Sequence, residues 1–220
     1  MFPVIIYCYD AYCSWCYGFS AVISKIEHEY RSRIDFEVLS GGMILPATPK
    51  HISVIVEHMK KIDKEVELLT GISFGNDYTW HLNNPESSDW YPNSEKPAIA
   101  MCVFKSFYPM LAVQFAADLQ YALHFEGRDL CDDEAYRHLL EKYNIPPPLF
   151  YQKLHSEEFK GQAYEEFALC KQLGVKGFPA VFIQITENKI HVLAEGFTNY
   201  DTIKSRVEAV TRDIVFINQQ

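Results

Sequence analysis

The sequence lacks any uninterrupted apolar run of the roughly 20 residues that a membrane-spanning helix requires. Its most apolar stretch, Ala98 to Phe125, is broken by Lys105, Pro109 and Asp118. It is also poor in positive charge. With 29 acidic against 20 basic residues the net charge is −9, and such a surface repels phosphate backbones and anionic headgroups, so neither nucleic acid nor membrane is an expected partner. No block of like charges forms a binding tail. Ahead of Asp10 there is neither a basic n-region nor a small-residue cleavage site; the chain therefore reads as unexported and cytoplasmic. Internal repeats and low-complexity tracts are missing as well.

What is present is apolar mass: 48% of the 220 residues are hydrophobic and 15% aromatic, enough for a large core and too much for a disordered chain. Residues 3–9 read as a strand buried on both faces. From Cys13 to about Arg31, Trp15, Phe19, Val22, Ile23, Ile26 and Tyr30 recur with helical spacing, and residues 33–39 alternate as a second strand. A strand, a crossover helix and a strand imply a parallel pair. From Pro49 to Phe150 the patterns are helical: 50–70, stopped by Gly71; 98–125, bent near Pro109; and 132–143, stopped by three prolines. A long loop is expected at 75–96, carrying Tyr78, Trp80, Trp90 and Tyr91. Then come a helix over 157–173, a hairpin of 179–185 and 189–195, and a last helix over 201–210. The whole reads as an α/β domain made of residues 1–45 and 157–215, with a helical insertion over 46–156.

Of the six cysteines, two form Cys13-Ser14-Trp15-Cys16, where the first strand gives way to a helix. A thiol attacks as thiolate, and a free cysteine, with a pKa of about 8.5, is only a few per cent ionised at neutral pH. Unpaired N–H groups and the positive end of the helix dipole stabilise an anion there. Cys13, read as the first helical residue, receives that field; Cys16, nearly a turn deeper, is placed to resolve a mixed disulfide. A zinc site would need a second close pair, and Cys8, Cys102, Cys131 and Cys170 are scattered, so no metal is expected. Cys8, Cys102 and Cys170 read as buried hydrophobes, and Cys131 as more exposed. Asp10 is open to two readings, a proton acceptor or a loop cap. Trp15 and Tyr17 are open to substrate contact or inward packing.

The segment Val175-Lys176-Gly177-Phe178-Pro179 resembles the cis-proline loop of thioredoxin-like proteins, which faces the CxxC. That resemblance implies a cis Phe178–Pro179 bond and a Phe178 backbone able to pair with extended substrate. Together with the helical insertion, Asp10-Ala11-Tyr12-Cys13-Ser14-Trp15-Cys16-Tyr17-Gly18 resembles the Asp-x-x-Cys-Pro-Trp-Cys-Tyr pattern of the DsbA family's cytoplasmic FrnE-like branch. Asn93-Ser94, Glu126-Gly127-Arg128-Asp129-Leu130 and the Gly-Phe-Pro loop match in order. The resemblance implies a thioredoxin-like fold with a helical cap, acting as a thiol–disulfide oxidoreductase or isomerase on disulfide-containing protein or small-molecule thiol substrates. No bound organic cofactor is implied, and glutathione, which Asn93 and Ser94 would help hold, stays open as a co-substrate. Ser14 replaces the usual proline and frees a backbone N–H for the Cys13 thiolate. Neither Ser14 nor Trp15 supplies charge, so a milder oxidant than DsbA is expected. Two other readings compete: a glutathione-dependent enzyme like kappa-class transferases or 2-hydroxychromene-2-carboxylate isomerases, which place serine where Cys13 stands, and a non-enzymatic adaptor.

Overall fold

The computed structural model describes residues 3–45 and 47–217, with side chains through Arg212; the sequence reading of Met1 and Phe2 lies outside it. At its centre β1 (Val4–Tyr9) pairs in parallel with β2 (Asp35–Ser40) and antiparallel with β3 (Ala180–Thr186), and β4 (Lys189–Glu195) completes a sheet of order β2-β1-β3-β4. Alternation sorts β1. Ile5, Tyr7 and Tyr9 face the main core, whereas Ile6 and Cys8 join Leu39, Cys170, Ala180 and Phe182 on the other face. Cys8 lies opposite Leu39 on one side and Ala180 on the other. This register brings the end of β1, the end of β2 and the residue before β3 to one edge, although they are far apart in sequence.

Between β2 and β3 run α2 (Val56–Thr70), α3 (Asn76–Asn83), α4 (Glu95–Lys105), α5 (Ala112–His124), α6 (Arg137–Lys142), α7 (Pro147–Leu154) and α8 (Glu157–Gln172). The first helix of the chain, α1 (Ser14–Tyr30), packs on α5 and α2, and the last, α9 (Tyr200–Ile217), on α1 and β4. Three expectations are corrected. The 75–96 segment is not a long loop, because α3 and a 3₁₀ turn at Pro85–Ser87 occupy it. The 98–125 helix is two helices, since a 3₁₀ turn at Pro109–Leu111 breaks it where proline cannot donate. The prolines before Leu149 begin α7, with Pro147 in its first turn, where a missing N–H costs nothing.

A buried ion pair ties these helices to the sheet. Glu166 of α8 accepts from the Ser40 amide at 2.8 Å, from Cys102 at 3.3 Å and from Lys105, which also reaches Glu37 and the Val38 carbonyl. Just beyond Ser40, the Gly41 amide donates to the Tyr9 carbonyl at 2.7 Å. A Cβ on Gly41 would lie 2.0 Å from the Phe178 ring. Gly41→Ala is therefore expected to displace that ring and lower stability by about 1–3 kcal/mol in urea unfolding; an unchanged midpoint would show the ring free to swing aside.

Candidate active site

Cys13 is the N-cap of α1 rather than its first helical residue: its φ of −85° and ψ of 107° are extended. The chain turns into it through the Cys13 amide, which donates to the Asp10 carbonyl at 3.1 Å. The cap position lets the sulfur itself take a helix amide, and the Cys16 N–H donates to Cys13 Sγ at 3.3 Å. The thiol also points at the Phe178 carbonyl, 3.4 Å away across 165 residues of sequence, and the Phe178–Pro179 peptide is cis. Cys13 keeps 5% of its surface exposed and Cys16 none. Burial, followed by the neighbouring Cys13 sulfur, pushes the Cys16 thiol well above its ordinary range. The hydroxyl of Tyr7 in β1 lies in the same buried space. Beside the cis bond runs a groove of about 270 Å³, lined by Lys176, Phe178, Ala180, Phe182 and Glu195.

Asp10 braces the turn. Its Oδ1 accepts from the Tyr12 amide at 3.0 Å and the Ser94 hydroxyl at 2.9 Å, and its Oδ2 from the Met43 amide at 2.7 Å. Burial raises its pKa, and these hydrogen bonds oppose that rise. Ser94 also accepts from the Ile44 amide at 3.0 Å, so its hydroxyl is committed to the brace. Asn93 Oδ1 accepts from the Glu95 amide at the start of α4. Cys131 is half-buried, against the Tyr12 hydroxyl at 3.4 Å, and burial raises its thiol. Trp15 packs on Phe197, whereas Tyr17 is buried and stacks on His124, donating to the Ser73 carbonyl at 3.1 Å. Among the described residues, no three His, Cys, Asp or Glu side chains converge as a metal site.

Ser14 leads to a residue that sequence reading passed over. Its hydroxyl donates to Asp63 Oδ1 at 2.6 Å, and the Tyr78 hydroxyl donates to Oδ2 at 3.0 Å. Tyr78 meets His124 edge-to-face, and burial lowers the His124 pKa to about 3, so that ring is neutral. Burial pushes the Asp63 carboxyl up to about 6. The signal was available: Val56, Met59, Asp63 and Val66 form the buried stripe of α2, and one of the four is a carboxylate.

The sequence matches the DsbA-like thioredoxin domain over residues 4–208. The chain belongs to that family. A search of curated proteins returns no match. Among solved structures, a Nitrosomonas europaea protein provisionally assigned as a protein disulfide isomerase superposes with a TM-score of 0.81 at 22% identity, covering 97% of this chain and 99% of that one. The cytosolic disulfide reductase DsbM of Pseudomonas aeruginosa, solved with GSH, gives 0.75 at 23% identity, with 95% and 99% covered. A 2-hydroxychromene-2-carboxylate isomerase gives 0.62 at 13% identity, with 98% of each chain covered. At these identities the likeness shows the DsbA-like fold. Among the described residues of this family member, no helix is long and apolar enough to cross a membrane.

The raised Asp63 pKa has a definite sign. A carboxyl that titrates near 6 when folded and near 3.8 when unfolded favours the folded state below pH 4, and that contribution is lost as pH rises through 6. Asp63→Asn is thus expected to gain about 1–2 kcal/mol in urea unfolding at pH 8 and almost nothing at pH 4. Equal differences at both pH values would refute this assignment.

Proposed function

We propose that this DsbA-like protein is a thiol–disulfide oxidoreductase in which Cys13 attacks and Cys16 resolves. The observation that carries the reading is the asymmetry of the pair. Cys13 sulfur caps α1 and accepts the Cys16 N–H at 3.3 Å, while Cys16 is wholly buried behind it. An anion at the cap gains a hydrogen bond and the helix field; one at Cys16 loses solvation. The Cys13 thiolate attacks one sulfur of a substrate disulfide, and the other sulfur leaves as thiolate. Cys16 then gives up its proton and attacks Cys13 Sγ, releasing the second substrate thiolate and leaving a Cys13–Cys16 disulfide. The substrate gains two electrons, and two glutathione thiols supply them back, which makes glutathione the natural co-substrate. The Phe178 carbonyl, 3.4 Å from the Cys13 sulfur, and the groove beside it support pairing with an extended peptide or thiol.

The direction favoured is reduction or isomerisation in a glutathione-containing cytoplasm. Neither residue between the cysteines is cationic, so the reduced form lacks the charge that makes a strong oxidant, and a potential of about −150 to −250 mV is expected. The 2-hydroxychromene-2-carboxylate isomerase likeness, at 13% identity, leaves a glutathione-dependent isomerase as the runner-up, and the second thiol argues against it.

Insulin and glutathione-disulfide reduction test the assignment. Wild type is expected to be active, Cys13→Ser to lose at least 100-fold, on the order expected for removal of a nucleophile, and Cys16→Ser to accumulate mixed disulfides visible by mass spectrometry. An inactive wild type or a fully active Cys13→Ser would sink the reading.

A further inference from the structure

One buried carboxylate is left outside the exchange chemistry and yet touches the redox motif. Asp63 comes from α2, in the helices inserted between β2 and β3, and its side chain reaches Ser14, the residue between Cys13 and Trp15. A serine hydroxyl has one hydrogen to give. At 2.6 Å that hydrogen is given to Asp63, so Ser14 has none left for a sulfur beside it. Tyr78 of α3 supplies the second donor. A carboxylate held this way places negative charge next to the N-terminus of α1, where the Cys13 thiolate forms, and in a poorly screened interior like charges oppose each other.

We propose that Asp63 is a positioning residue for the thiol–disulfide reaction: while ionised it holds the Ser14 hydroxyl and disfavours the Cys13 thiolate, making the Cys13–Cys16 pair more reducing. This rests on the redox reading above. Protonation of Asp63 removes the charge and weakens its hold on the Ser14 hydrogen, so the inserted helices set the poise of the pair and do so in a pH-dependent way. A cavity of about 370 Å³ lined by Lys60, Lys64, Glu67, Phe74 and Leu82 reaches Asp63 and gives its proton a path. The groups facing Asp63 are few. On its own helix they are Lys60, Lys64 and Glu67, and Glu67 raises the carboxyl further. From α1 there is Ser14 with the Cys13 thiol before it, and from α3 Tyr78, backed by the neutral His124 of α5.

The exchange is balanced as one glutathione disulfide and the protein dithiol giving two glutathiones and the Cys13–Cys16 disulfide. Asp63→Asn removes the charge and keeps one oxygen to accept from one of the two hydroxyls, while its NH2 donates to the oxygen of the other. It is expected to raise the rate of Cys13 alkylation by iodoacetamide at pH 7 on the order of 3–10-fold, and to shift the glutathione equilibrium by a similar factor toward the protein dithiol. The wild-type alkylation profile should show an inflection near pH 6 that the variant lacks. Tyr78→Phe removes one donor to the carboxylate, so its inflection should move to higher pH, and it serves if Asp63→Asn does not fold. A merely structural role would alter melting and leave the profiles superimposable. Profiles and equilibrium constants within twofold of wild type would overturn the proposal. Absence of any glutathione exchange in wild type would instead overturn the redox reading, because alkylation reads the Asp63 effect without it.

Discussion

The structure around the two cysteines depends on one buried carboxylate. Asp10 leaves the end of β1 and gathers three segments at once: its own turn through Tyr12, the chain leaving β2 through Met43, and the start of α4 through Ser94. Its backbone carbonyl holds Cys13 and accepts from Gln120 of α5 as well. A charge taken out of water is costly unless donors surround it, and here the donors are the very segments that must meet. The sheet register brings the strand ends to one edge, and Asp10 turns that proximity into a fixed geometry. The same hydrogen bonds oppose the rise in its pKa that burial causes, which keeps an acceptor available where the loop needs one.

From that brace follows the difference between two chemically identical thiols. The turn delivers Cys13 to the cap of α1, with its sulfur over a helix amide and opposite the Phe178 carbonyl. One turn on, Cys16 lies inside the core with the phenol of Tyr7 beside it, and burial holds its thiol protonated. The order of events in an exchange reaction is therefore a property of position. In the proposed exchange, the cap sulfur, which keeps the pair's small exposed surface, meets substrate, and the fully buried sulfur acts only after a disulfide has formed within its reach. Gly41 has a supporting part, since its missing side chain is the space the Phe178 ring fills.

Much of this was legible in the sequence because the signals are local. The buried strand, the CxxC at its end, the period-two hairpin and the Gly-Phe-Pro segment each carry their own pattern, and the family model covers the chain they outline. Legibility failed where a signal depended on a partner elsewhere in the chain. In α4 every residue from Pro97 to Phe104 is buried, so no polar face marked where it stops. The Asn- and Ser-rich 75–96 segment looked like a loop by composition, and tertiary packing of Tyr78 and Leu82 makes part of it a helix. Of the two readings of Asp10, the geometry displays the loop cap plainly, in hydrogen bonds to groups 33 and 84 residues away.

Ser14 shows most clearly how composition alone misleads. Replacing proline by serine suggests a looser turn with a spare backbone donor for sulfur. Yet the amide that reaches the Cys13 sulfur belongs to Cys16, and the serine side chain is tied to Asp63. What proline would do by restricting its own backbone, serine does here by bonding to the inserted helices. The difference is one of control. A ring constraint is the same at every pH, whereas a bond to a buried carboxyl that titrates near 6 exists in two protonation states with different charge. Asp63 thus ties the inserted helices to a residue between the two cysteines, and their packing around Tyr78 and His124 holds that carboxyl in place.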